Sequence, residues 1–294
     1  MASASIATQV SLKTILFATD FSEASEKALP FTAALARKHQ SKVFIAHVLP
    51  EPQPAITRPG ISERDEHLRA ESTNLLQEFG NSALFKDIPH EELLLEGLCW
   101  STLEKVIEDK GVDLVILGTH GRSGLGELLL GSVAEAVFRH SPCPVITVGP
   151  HSRLLHTAEA EIDRVLYTTD LAGHYDALPY ALSIAEENNA QLIMLHVLEG
   201  TAVLPYDVPD KWAEEAKRQM RDLLPGRFRN SAELLVEMGR PAREILATAL
   251  VHNADLIVMG VHADSTAEAA HTPWAIAHQV VGRAPCPVMT VRSK

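Results

Sequence analysis

The densest chemistry in this sequence lies between Gly118 and Ser132, which reads Gly118-Thr119-His120-Gly121-Arg122-Ser123-Gly124-Leu125-Gly126-Glu127-Leu128-Leu129-Leu130-Gly131-Ser132. The glycines at 118, 121, 124 and 126 let the backbone come close to a ligand and take positive φ. Gly131-Ser132 then reads as the opening of a helix, whose free N–H groups and positive dipole end favour an anion. Glycine at 131 permits close approach, and the Ser132 hydroxyl can add a bond. His120 sits inside the glycine loop, in reach of a ligand. Arg122 is either simply exposed or set to neutralise a phosphate. Asp20 ends an apolar run and precedes a helical pattern, so it reads as a ligand-facing carboxylate or as a helix cap. His47, on a strand, reads as a satisfied core histidine, and its echo at His196 favours packing for both. His262, His271 and His278 are spaced by 9 and 7, which does not give the i, i+4 face of a metal pair, and no metal site is expected.

These residues need elements to position them. Apolar, β-rich runs predict strands over 14–19, 42–49, 92–96, 113–118 and 144–148, with helical patterns over 23–39, 62–80, 101–110 and 132–140 between them. Ser22 is a candidate N-cap for the first helix, Gly111 a C-terminal stop for the third, and Pro142 a stop for the fourth. Leu68, Leu75, Leu76 and Phe79 fall on one side of the second. The pattern then returns. Asp20 matches Asp170 at 150 residues, His47 matches His196 at 149, Gly97, Asp113 and Gly118 match Gly239, Asp255 and Gly260 at 142, and Cys143 matches Cys286 at 143. A period of this length is a domain duplication, not an array of short repeats. Strands are predicted in the second half over 164–169, 191–198, 232–237, 255–260 and 287–292. Runs such as Leu114-Val115-Ile116-Leu117 and Leu256-Ile257-Val258-Met259 are apolar at every position, as strands buried on both faces are. The expected fold is therefore α/β: two tandem five-stranded parallel-sheet domains, 1–150 and 151–294, doubly wound with helices on both faces. A linker is expected over 151–163 and an irregular proline-rich loop over 50–61. In such sheets ligands bind beyond the carboxyl ends of the strands, where strand order reverses. Asp20, His47-Val48 and Gly118 stand at those ends.

The 294 residues carry 38 acidic and 26 basic side chains, a net charge of −12. That balance argues against nucleic acid or an anionic membrane as partner. No run approaches the ~18 apolar residues of a spanning helix, and the first ten residues do not read as a signal peptide. Cys99, Cys143 and Cys286 form no CxxC pair, so a reducing, cytoplasmic setting is expected.

The spacing G-x2-G-x9-G-S, with Ala18-Thr19-Asp20 and Ser132-Val133-Ala134, resembles the universal stress protein family. The resemblance covers residues 10–149 and 161–292, as in a tandem member of the ATP-binding branch. It implies an adenine nucleotide alpha-hydrolase-like fold and an adenine nucleotide ligand, ATP, ADP or AMP, with magnesium as a companion. It also implies roles. Asp20, beside Ala18 and Thr19, would meet the ribose or a metal-linked phosphate. Val48 would hydrogen-bond adenine through its backbone, and Gly118 would lie against the ribose. His120, Gly121, Gly131, Ser132 and Val133 would hold the phosphates, with Arg122 nearby. The last strands of the two halves would pair as an intramolecular pseudo-dimer, with further homodimerisation open.

The second half departs from this pattern. Gly121 becomes Ala263, Gly131 aligns with Trp274 and Ser132 with Ala275, and the stretch 264–273 carries Asp264 and Glu268 with no base. An indole in place of the phosphate cradle would block it, and like charge opposes a polyphosphate. The nucleotide site is therefore expected in the first half. Three functions stay open: a nucleotide-binding stress or signalling protein, a slow ATPase, and a ligand-free interaction scaffold. The sequence holds no HxGH, SGGxDS, GxxxxGK[ST] or GxSxG motif, which argues against a fast enzyme.

Overall fold

The structure is a computed structural model that describes residues 10–51, 61–119, 130–153, 162–199, 210–261 and 273–293. They divide into two compact units, one within residues 11–150 and one within 162–293 joined by Val10 and 151–153. The first unit runs β1 (Thr14–Ala18), α1 (Glu23–His39), β2 (Lys42–Leu49), α2 (Ile61–Gly80), a single 3-10 turn (Ala83–Phe85), β3 (His90–Glu96), α3 (Cys99–Lys110), β4 (Leu114–Gly118), α4 (Ser132–His140) and β5 (Val145–Val148). Its strands are parallel in the order β3-β2-β1-β4-β5. The second unit runs β6 (Arg164–Thr169), α5 (Leu178–Asn188), β7 (Gln191–Glu199), α6 (Asp210–Leu223), α7 (Phe228–Ser231), β8 (Glu233–Gly239), α8 (Pro241–Val251), β9 (Leu256–Val261), α9 (Pro273–Arg283) and β10 (Val288–Arg292). Its strands are parallel in the order β8-β7-β6-β9-β10. Strand order reverses between β1 and β4 in the first unit, and between β6 and β9 in the second.

The core explains why the central strands read as unbroken apolar runs. Successive strand residues point to opposite faces, yet Ile15, Leu16 and Phe17 of β1 and Leu114, Val115 and Ile116 of β4 are all 0% exposed. Both faces of these strands are therefore covered. The helices that cover them carry the expected end signals. Ser22 caps α1 by accepting from Ser25 N at 3.4 Å. Glu23 and Glu26 occupy its first turn and Arg37, Lys38 and His39 its last, matching the helix dipole. The helix runs through Pro30, against the rule that proline ends one; burial of Phe31, Thr32 and Ala33 beyond it supplies the compensating packing. Gly111 ends α3 at φ +59°. That helix starts at Cys99, two residues before Ser101, and its Leu98 N-cap makes no side-chain cap.

Two repeated landmarks prove structural. Asp113 Oδ2 accepts from Lys13 N at 2.8 Å and Thr14 N at 2.9 Å. Asp255 Oδ2 accepts from Asp163 N at 3.0 Å and Arg164 N at 2.9 Å. Each carboxylate binds the start of one central strand to the start of its neighbour, at the amino ends of the strands and away from the cleft. Residues 151–153, expected in a linker, belong to the second unit, where Arg153 N donates to Pro285 O at 3.0 Å.

Gly118 closes β4 at a point where no side chain fits. A Cβ there would stand 2.8 Å from both Ala24 C and Ser25 N, the backbone at the start of α1. Backbone cannot yield as a flexible side chain can. Gly118→Ala should therefore destabilise the ligand-free protein by about 1–3 kcal/mol, read as a lower urea midpoint. An unchanged midpoint would show that α1 is free to move away.

Candidate functional site

The carboxyl ends of β1, β2 and β4 and the amino end of α4 surround one cavity of about 420 Å³. Ala18, Thr19 and Asp20 reach it from β1, Val48 from β2, Gly118 from β4, and Gly131, Ser132 and Val133 from α4. The structure thus brings together eight of the residues singled out in the sequence. The other three, His120, Gly121 and Arg122, lie outside the described residues.

The turn after β1 is held by its own side chains. Phe21 N donates to Thr19 Oγ1 at 3.0 Å, Ser22 N to Asp20 Oδ1 at 3.0 Å, and Ser25 Oγ to Asp20 Oδ1 at 2.8 Å. Phe21 sits at φ +60°, a conformation that a bulky side chain rarely takes. Asp20 braces the turn that leads into α1 and lines the cavity, while the cap of α1 is Ser22. His47 donates from Nδ1 to Thr19 O at 2.7 Å, since a carbonyl can only accept. Its ring lies 4.5 Å from that of Phe21. This is the satisfied core role read from the sequence, although the residue also borders the cavity.

At the other wall, Gly131 N donates to Thr119 O at 2.8 Å and α4 begins at Ser132. Gly131 is the N-cap and supplies no side-chain cap. Its φ of −60° is one that any residue adopts, so no turn geometry demands glycine there. What glycine contributes is clearance beside the first-turn N–H groups, which find no acceptor within the helix. Among the described residues the cavity has no lysine or arginine in its wall. Its polar groups at that wall are the backbone N–H groups and hydroxyl at the start of α4.

Sequence reasoning missed Ser25, Cys99 and Leu103, which also line the cavity. The repeat held the signal for two of them. The 142-residue offset maps Cys99 to Pro241 and Leu103 to Ile245, and both of those line a second cavity of about 260 Å³. Burial, and then the charge of Asp20, pushes the Cys99 thiol above its ordinary range.

The second cavity occupies the matching place in the second unit, with Asp170, Val197 and Gly260 in its wall. The turn geometry is repeated. Leu171 N donates to Thr169 Oγ1 at 3.1 Å, Ala172 N to Asp170 Oδ1 at 2.9 Å, and His196 Nδ1 to Thr169 O at 2.9 Å. Leu171 sits at φ +59°. Trp274 is the residue aligned with Gly131. It does not line the cavity, and of the four residues aligned with Gly131–Ala134 only Ile276 does so. Helix α9 already begins at Pro273, so Trp274 lies within the helix rather than before it. Ala263, Asp264 and Glu268 lie outside the described residues. Among the described residues no group of three His, Cys, Asp or Glu side chains is placed to hold a metal ion, and no helix is long and apolar enough to cross a membrane.

Burial by itself would raise the Asp20 carboxyl, but the hydrogen bonds from Ser22 and Ser25 outweigh it and hold the group below its ordinary value of 3.8. A depressed folded-state value contributes stability that is fully present above 3.8 and is lost as pH falls through that depressed value. Carbon-detected NMR should therefore find Asp20 titrating below 3.8 in the native chain and higher in Ser25→Ala. A native Asp20 titrating at or above 3.8 would show that desolvation wins.

Comparison with known proteins places this geometry. The model of the universal stress protein family matches residues 11–149 and again 161–292. The chain is 31% identical over 155 residues to universal stress protein MJ0577 of Methanocaldococcus jannaschii, a match covering 47% of this chain and 96% of that one. It is 32% identical over 143 residues to universal stress protein YxiE of Bacillus subtilis, covering 46% and 97%. In fold it is similar to a universal stress protein of Archaeoglobus fulgidus, with a TM-score of 0.68 at 23% identity over 96% of this chain and 99% of that one. Two full-length matches to one family model, with the duplicated turn and cleft, make this chain a tandem, two-domain member of the universal stress protein family.

Proposed function

We propose that the first unit binds an adenine nucleotide, ATP, ADP or AMP, and that its occupancy serves a stress or signalling role. The observation that carries this reading is a single cavity faced at once by the Asp20 carboxylate and by the uncapped amino end of α4. Helix N–H groups recognise phosphate, and a carboxylate recognises the paired hydroxyls of a ribose or a phosphate-bound cation. The volume of about 420 Å³ lies in the usual range of small-ligand pockets, roughly 300–1,000 Å³. Val48 contributes backbone polar groups for the base, and Gly118, whose missing side chain makes room for the start of α1, places the end of β4 in the wall. Magnesium, when it accompanies ATP, would lower the phosphate charge beside Asp20. His120, Gly121 and Arg122 join the site on sequence grounds alone.

Binding without fast turnover fits the same wall. His47 is the imidazole among its described residues, and its Nδ1 proton is already committed to Thr19 O. Slow hydrolysis would show as ADP accumulating with time in a mixture of protein and ATP.

Gly131→Val should weaken ATP binding at least a hundredfold and leave the fold intact. The branched side chain would fill the space before two charge-assisted bonds, each about 1.5–3 kcal/mol. Asp20→Ala should weaken it as well. Titration calorimetry of the full chain with ATP and magnesium should give one site per chain. Unchanged affinity in both variants would put the ligand elsewhere.

A further inference from the structure

We propose that the cavity of the second unit is a binding site for an uncharged nucleoside and that it discriminates against the phosphate ester of the same nucleoside. This extends the nucleotide reading of the first cavity, on which it rests for the choice of an adenine ring. The wall is apolar where Val197, Pro241, Ile245, Met259 and Ile276 meet it, a lining suited to a flat heterocycle. At its edge stand two carboxylates, Asp170 and Glu199, both exposed, and the described wall has no lysine or arginine. A carboxylate can accept about four hydrogen bonds, so the Ala172 bond does not exhaust Asp170. It stands where Asp20 stands in the first cavity and suits a vicinal diol.

Among the described residues the second cavity lacks the anion cradle. Four consecutive residues at the amino end of α4, Gly131 to Ala134, face the first cavity; only Ile276 of α9 faces the second. Helix α9 also opens on a proline, which has no N–H to offer. The imidazoles of His174 and His196 are the remaining titratable groups in the wall. His196 holds its Nδ1 proton toward Thr169 O. At a pH above the histidine range the charge facing a ligand is negative. A neutral nucleoside enters such a site without repulsion, and a phosphate meets two like charges with no lysine or arginine among the described wall residues to offset them. At 260 Å³ the space is also smaller than the 420 Å³ of the first cavity.

The test uses the full chain at pH 8 with adenosine and AMP as probes, in the wild type and in a Gly131→Val background that removes the first cradle. Calorimetry and ligand-observed NMR should find adenosine bound in Gly131→Val at least tenfold tighter than AMP. Ile245→Trp, which fills the second cavity, should abolish that binding. Glu199→Lys, at an exposed position that does not threaten the fold, should narrow the preference for adenosine about tenfold. AMP binding as tightly as adenosine, a preference untouched by Glu199→Lys, adenosine binding untouched by Ile245→Trp, or no adenosine binding at millimolar concentration would each overturn the proposal. Failure of the wild type to bind ATP would instead strike the reading of the first cavity, because Ile245→Trp and Glu199→Lys assign the adenosine signal to the second.

Discussion

The first cleft depends on one close approach. The backbone of Ala24 and Ser25, at the start of α1, lies so near the end of β4 that Gly118 has no room for a methyl group. That contact brings the turn after β1 against the neighbouring strand end, and the Asp20–Ser22–Ser25 hydrogen bonds then fix the carboxylate at the edge of the space that remains. A larger residue at 118 would lift α1 and with it the turn. The strained Phe21 and the committed His47 follow from the same crowding: the chain reverses within two residues, and the imidazole is held by the carbonyl it reaches.

Duplication allows one design to be compared with itself. The turn is reproduced in the second unit down to the positive φ of its third residue, although Phe21 has become Leu171 and Ser22 has become Ala172. The Thr–Asp pair is therefore sufficient for the turn, and the aromatic ring is not required. The helix facing the turn was not held in the same way. It starts at Ser132 in one unit and at Pro273, aligned with Leu130, in the other. Strand-end geometry has persisted where helix-start geometry has drifted.

This contrast explains what could be read from the sequence. Strands buried on both faces announce themselves as apolar runs, and β2 and β6 fall on the bounds expected for them, as do α1 and α4. Asp20, Gly118 and Gly131 were legible because each stands at an element boundary marked by glycine, serine or aspartate, and Val48 because it stands near the carboxyl end of an apolar strand. Ser25, Cys99 and Leu103 were not, because they enter the cavity from the sides of helices, and only the packing of those helices decides which side faces inward. Asp113 and Asp255 were visible as landmarks, yet nothing local distinguished a carboxylate that ties two strands from one that meets a ligand.

Those two aspartates also set the order in which each unit can be completed. Asp113 binds the amides of Lys13 and Thr14, about a hundred residues earlier in the chain, and β4 is one of the two neighbours of β1. The first strand of the unit is thus its centre, and it must wait through three helices for half of its partners. Long-range closure of this kind slows folding and keeps an apolar strand uncovered in the meantime. A nascent chain cut short before residue 113 would hold β1 paired on one side only, with its other edge open to any strand it met. The repeat imposes the same delay a second time, since Arg164 waits for Asp255.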